Sequence, residues 1–272
     1  MAERLTTRVF VRGASTVGWS GRMGGARTEL GFPRVLEREL LARDHRAEVR
    51  SVTVGGMPTS AVLKRWEHDI VGWSPDVVVY MVGHYETLHV LWPNRLERHA
   101  NHFRWLPRPL RTLYRRKVLR PVWRNLVRFQ TAVDAHVPQR WAQRRVRYAV
   151  ADLARAVKQA REIQSPLVVL METPLPGSYA RKLFPGMEVR VEAYNRMIAE
   201  LADRLGEEVR VLPTNAVLGL HDLGARDDAL PDGFHFSAPA HDAVGRALAE
   251  LVQPWIERQP HLQPIEPHAD AG

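Results

Sequence analysis

Five short apolar runs, at 8–13, 47–54, 76–83, 166–173 and 209–214, alternate with segments of helical periodicity at 28–43, 59–70, 143–163, 188–205 and 239–256. No other feature constrains the fold so strongly. A strand that feeds a helix returns to its sheet in parallel, by a right-handed crossover, and the helices cover both faces. Turn signals such as Gly55-Gly56, Ser74-Pro75 and Ser165-Pro166 bound the runs, and the helical segments repeat apolar residues at three- and four-residue spacing, as in Leu153, Val157 and Ala160. The expected fold is α/β: three layers, α/β/α, around a five-stranded parallel sheet in flavodoxin-like order.

The crossover between the third and fourth strands breaks the rhythm, because about 80 residues stand where a dozen or so would do. It is also chemically distinct. Residues 88–150 carry fifteen Lys or Arg against two acids, Glu97 and Asp134, in a chain whose whole net charge is +9. Pro93, Pro107, Pro109, Pro121 and Pro138 are expected to cut the segment into short helical pieces. The expected organisation is one α/β domain over 1–257, with 88–142 as a basic helical insertion or lid beside the sheet's carboxyl edge. Residues 258–272, with Pro260, Pro264 and Pro267, are expected to be a disordered tail.

With 272 residues the chain can bury one sizeable core. The absence of cysteine excludes a disulfide framework and a thiolate zinc site, and it fits a reducing compartment. Residues 1–7 run into the first strand without the apolar region of a cleaved signal, and the longest apolar stretch, Val77 to Val82, is too short to span a bilayer. A cytoplasmic location is expected.

Candidate chemistry begins at Ser15, which leaves the first strand through Gly13-Ala14 and so reaches the sheet's carboxyl edge, where open α/β sheets bind ligands. A serine hydroxyl needs a base within hydrogen-bond reach and a third group that orients the base. Asp232-Gly233-Phe234-His235 can supply both from one loop, just before the last amphipathic segment. Twelve Asp and twelve His would give about 0.5 such pairs by chance, so the spacing alone is weak and the location counts for more.

These segments, in this order, resemble the SGNH, or GDSL-type, hydrolase superfamily over nearly the whole chain outside the insertion and tail. Gly13-Ala14-Ser15 stands for its Gly-Asp-Ser block, Gly56 for the glycine after strand two, Gly83-His84-Tyr85-Glu86 for its Gly-x-Asn-Asp block, and Asp232-x-x-His235 for its last block. The resemblance implies Ser15 as nucleophile, His235 as base, Asp232 as its orienter, and the Ser15 and Gly56 amides as oxyanion donors. Glu86 stands where the pattern has Asp, and two further positions depart from it. Ala14 replaces an acid, and Tyr85 replaces the asparagine whose amide serves the oxyanion, leaving Tyr85 or His84 to complete the hole. Loss of that donor would cost about 3–4 kcal/mol of transition-state stabilisation.

Competing readings are plainer. Ser15 could end a turn, Gly56 could serve only a positive-φ turn, and Ser20 is a rival serine that misses the Gly-x-Ser-x-Gly pattern by one position. His84, Glu86 and His89 do not form a recognised metal-ligand set, and Glu86 is expected to cap the start of the insertion. No metal or cofactor is expected. The basic insertion could be a solvated face, a channel for an anionic substrate, a dock for an acidic carrier protein, or a shallow anchor on an anionic membrane. Nucleic-acid binding is disfavoured, since no recognition fold accompanies the charge. The expected function is cleavage of an ester or thioester through an acyl-enzyme on Ser15. Acyl transfer to an alcohol or amine by the same residues is the first alternative, and a binding protein with weak turnover that uses the basic insertion is the second.

Overall fold

A computed structural model describes residues 6–18, 31–64, 66–88, 99 and 107–262. Its five strands are β1 Thr7–Gly13, β2 Ala47–Thr53, β3 Val77–Met81, β4 Leu167–Met171 and β5 Val209–Leu212. All pair in parallel, in the order β2-β1-β3-β4-β5. Each lies within two residues of the run expected from the sequence. The helices are α1 Phe32–Ala42, α2 Thr59–Val62, α3 Trp66–Trp73, α4 His84–Leu88, α5 Arg108–Tyr114, α6 Arg120–Val133 and α7 Gln139–Gln164. They continue as α8 Ser178–Leu183, α9 Met187–Leu205, α10 Thr214–Val217, α11 Leu223–Ala229 and α12 Ala238–Ile256.

The two-residue side-chain period of the strands sorts the core into two layers. Val77, Val79 and Met81 of β3 join Val9 and Val11 of β1 on one face, under Leu36 of α1 and Val244 and Leu248 of α12. Val78 and Tyr80 face the other way with Val168 and Leu170, under Leu153 and Val157 of α7 and Ile198 of α9. β3 and β4 are buried along their whole length, which is why they read as unbroken apolar runs. β1 carries one charge inward. Arg12 is buried and pairs with Asp69 of α3 while donating to the carbonyls of Val62 and Lys64.

Three expectations are corrected. The single helix expected at 59–70 is two, α2 and α3, with Leu63 and Lys64 outside both. Pro107 and Pro138 do precede helices, but Pro121 interrupts nothing: α5 and α6 run continuously through a π turn at Arg115–Leu119. There Arg120 N–H bonds to the Arg115 carbonyl five residues back, and the widened turn accommodates the missing N–H and the ring of Pro121. Pro93 lies outside the described residues. The expected tail is corrected only at its start: a short 3-10 turn at Pro260–Leu262 buries the Leu262 side chain in the α1/α12 core layer, and residues 263–272 lie outside the described residues.

The inner end of the insertion is tied down by a buried ion pair. Asp134, just after α6, takes two hydrogen bonds from the Arg190 guanidinium, at 2.8 and 3.0 Å, and one from the Gly186 amide at 2.8 Å. Arg190 Nε donates to the Thr87 carbonyl at 2.7 Å, so one side chain of α9 joins the insertion to the end of α4. Burial pushes the Arg190 guanidinium pKa down, and Asp134 opposes that.

Candidate active site

The strand order reverses direction between β1 and β3, and the crevice beyond their carboxyl ends is where such a sheet can admit a ligand. Ser15 and His84 leave the sheet on either side of it. Gly13 is required by the closeness of the strands: a Cβ there would come within 2.4 Å of the Met81 carbonyl oxygen and 2.5 Å of Val17. The Ala14 amide still bonds to the Met81 carbonyl at 3.0 Å, and Ser15 then opens a single 3-10 turn to Val17. The loop after β2 reaches this point as well. A Cβ on Gly55 would lie 3.6 Å from Ser15 Cβ, and Gly56 takes a left-handed conformation with φ of 66°.

Asp232, Gly233, Phe234 and His235 form a tight turn before α12. Gly233 has φ of 82°, and a Cβ there would strike the Ala180 amide nitrogen at 2.7 Å. That bend lets Asp232 Oδ1 accept the amides of Phe234 and His235, at 3.0 and 2.8 Å, while Oδ2 faces His235 Nδ1 at 2.7 Å. His235 Nε2 lies 3.0 Å from Ser15 Oγ. Burial alone would raise the Asp232 carboxyl, but the hydrogen bonds from the His235 side chain and from the two amides outweigh it and hold the group down to about 2. The carboxylate therefore stays charged at any ordinary pH and fixes the proton of His235 on Nδ1, leaving Nε2 to accept from the serine.

His84 is buried beside this line. Its ring meets Phe234 edge to face at 6.0 Å, and its Nδ1 has no hydrogen-bond partner among the described residues. Burial, then the nearby His235, push its imidazole down to about 3 against the opposing pull of Asp232. Tyr85 is also buried. Glu86 does not cap the insertion as expected. Its carboxylate accepts the Thr59 amide at 2.6 Å and the Thr59 hydroxyl at 2.9 Å, and that hydroxyl accepts the Gly83 amide at 3.1 Å. The loops after β2 and β3 are thus locked together, and glycine is required at position 83 both by its positive φ and by the Tyr194 ring, 2.3 Å from where a Cβ would sit. Neither Thr59 nor Phe234 stands out in the sequence as a site residue, because nothing in their spacing marks them.

The remaining candidates are placed as follows. His84 and Glu86 face different partners, and His89 and Ser20 lie outside the described residues. Among the described residues no group of His, Cys, Asp or Glu could hold a metal ion. In the same set no helix is long and apolar enough to cross a membrane.

A second buried histidine sits behind the site. His241 Nδ1 accepts the Phe32 amide at 3.1 Å, and burial, then His235, push its imidazole down to about 4. His84 and His241 are therefore neutral when folded but protonate below about pH 6.5 in the unfolded chain. A folded pKa below the unfolded one means stability is full above about 6.5 and declines as pH falls toward the folded values. Urea midpoints are expected to fall between pH 7 and pH 4. The decline should be shallower in a His84→Gln/His241→Gln variant, measured as the difference in midpoint between the two pH values.

This sheet, with a serine, a histidine and an aspartate in line at its switch point, defines an α/β protein of the SGNH type. The chain belongs to the GDSL-like lipase/acylhydrolase family, which it matches over residues 13–243. Among solved structures, the lipase/acylhydrolase from Enterococcus faecalis is similar at 16% identity with a TM-score of 0.59, covering 96% of this chain and 100% of that one. TesA is similar at 16% identity and TM-score 0.57, covering 91% and 99% respectively. Est24, a carbohydrate acetylesterase from Sinorhizobium meliloti, is similar at 13% identity and TM-score 0.56, covering 92% and 100%. At these identities the likeness speaks for the fold. No curated protein matches the chain in sequence.

Proposed function

We propose that this protein is an acyl hydrolase that cleaves an ester or thioester through an acyl-enzyme on Ser15. The observation that carries the proposal is the unbroken relay from Ser15 Oγ to His235 Nε2, 3.0 Å, and from His235 Nδ1 to Asp232 Oδ2, 2.7 Å. In the first half-reaction His235 takes the hydroxyl proton as Oγ attacks the acyl carbon, and the carbonyl π electrons move onto oxygen. Collapse of the tetrahedral species expels the alcohol or thiol, which receives the proton from His235. Water then attacks the acyl carbon, giving up a proton to His235, and as the bond to Ser15 Oγ breaks His235 returns that proton to Oγ and the acid is released.

The oxyanion is received by the Ser15 and Gly56 amides, with His84 rather than Tyr85 as the third donor. His84 favours this role because burial keeps it neutral, it couples electrostatically to His235 and Asp232, and its Nδ1 is unpartnered among the described residues. A neutral imidazole with the proton on that nitrogen is a ready donor. Membership of the GDSL-like lipase/acylhydrolase family supports ester chemistry, as does the likeness to a lipase/acylhydrolase and a carbohydrate acetylesterase.

The test is covalent labelling. A fluorophosphonate probe should add one equivalent to the intact chain, with the mass shift mapped to Ser15, and Ser15→Ala should take up none. An adduct that survives that substitution sinks the proposal. His84→Phe, which keeps an aromatic ring but removes the donor, should lower kcat by about 10²–10³ with little change in KM.

A further inference from the structure

The run from Arg108 to Val133 is an unusual helix for a folded domain, since it carries eight Lys or Arg and no acid. None of the residues in α5 or the π turn is buried, and in α6 only Gln130 is. Five large apolar side chains, Leu110, Leu113, Val118, Val122 and Phe129, are between 43% and 58% exposed. Their spacing does not suit a regular α-helix. At about 100° per residue, Val118, Val122 and Phe129 would drift roughly a quarter to a third of a turn away from Leu110.

The π turn removes that drift. A turn closed from i to i+5 takes up about one residue more than an α turn, which sets the second half of the helix back by about 100°. The i to i+5 bond from Arg120 to Arg115 falls between Leu113 and Val122, so all five side chains come into one seam about 28 Å long. Lys117 and Arg128 flank the seam on one side, and Arg111 and Arg115 on the other. The helix meets the body of the protein away from the seam: about 100° round from Phe129, Gln130 Nε2 donates to the Leu88 carbonyl at 2.6 Å, and farther round Val127 packs on the α1/α12 core layer.

We propose that this helix is a membrane-surface element that lays its apolar seam into the interface of an anionic lipid layer. A straight apolar row with cations on both flanks matches a flat, negatively charged surface. The long stems of Arg and Lys let the charges reach phosphates while the seam enters the acyl boundary. A purely electrostatic partner, such as an acidic carrier protein or a nucleic acid, would leave the seam without a role, and the alignment of the seam through the π turn is what decides between them. The inference does not depend on the chemistry at Ser15.

The experiment is co-sedimentation of the full chain with vesicles of phosphatidylcholine alone and of phosphatidylcholine mixed with phosphatidylglycerol. Retention is expected on the mixed vesicles and at least tenfold less on neutral ones, weakening as salt is raised. Ser15→Ala should bind as the parent does, whereas Val118→Asp/Phe129→Asp should lose at least tenfold in binding. Both substituted side chains are exposed, and unchanged fluorophosphonate labelling of that variant verifies its fold. Equal retention of the Asp variant, or no preference for anionic vesicles, overturns the proposal. So does preferential capture by soluble heparin or polyglutamate that is insensitive to the Asp substitutions. Binding retained without any labelling would overturn the acyl-hydrolase reading alone.

Discussion

Ser15→Ala is expected to lower kcat/KM on an activated ester by on the order of 10⁴-fold or more, with the thermal midpoint moved by no more than a few degrees. The side chain is at the surface of the crevice and the substitution removes one oxygen, so the fold loses only the contact with His235 Nε2. His235→Ala should cost a similar factor. The double variant should cost little more than either alone, because the hydroxyl and the imidazole act as a unit and their losses do not add. Asp232→Asn is the more informative change. An amide could still accept the two backbone hydrogens now on Oδ1, but it would face His235 Nδ1 with a donor or a much weaker acceptor and turn the imidazole to the wrong tautomer. A loss of about 10⁴-fold is expected. Steady-state kinetics on the four proteins checks this, and additive losses would mean that the three groups do not work as one relay.

Asp134→Ala is expected to destabilise the protein by about 3–5 kcal/mol, because it breaks a buried ion pair by removing one partner. It would leave the Arg190 guanidinium buried without its partner and the Gly186 amide without an acceptor. Replacing both members by apolar residues of similar volume, Asp134→Leu with Arg190→Met, should recover most of that loss, since neither charge then has to be desolvated. Urea denaturation of the two variants beside the parent separates the outcomes. A double variant as unstable as the single one would place the effect in the backbone contacts to Thr87 and Gly186 rather than in the unpaired charge.

The strands were legible because each is an apolar run with turn residues at both ends, and parallel strands buried on two faces need little else. The Asp232-x-x-His235 block was legible for a local reason. A three-residue reach within one turn is written in the spacing, and Gly233 is the residue that permits the bend. What spacing does not encode is contact across the fold. Thr59 and Glu86 are 27 residues apart and meet only because β2 and β3 flank β1. Arg190 and Asp134 are 56 apart, on elements whose packing no periodicity announces. Pro121 misled for a different reason: in a regular helix it is a breaker, and its tolerance here depends on a backbone turn that no side chain advertises.

The hydroxyl of Ser15 and the imidazole that faces it are 220 residues apart. During synthesis the serine emerges with the first strand, long before His235 is made. α12, which follows His235 directly, packs along α1, so its docking is what brings the two groups together. On the proposed mechanism, then, the nascent chain stays inert toward acyl groups until its last helix has docked.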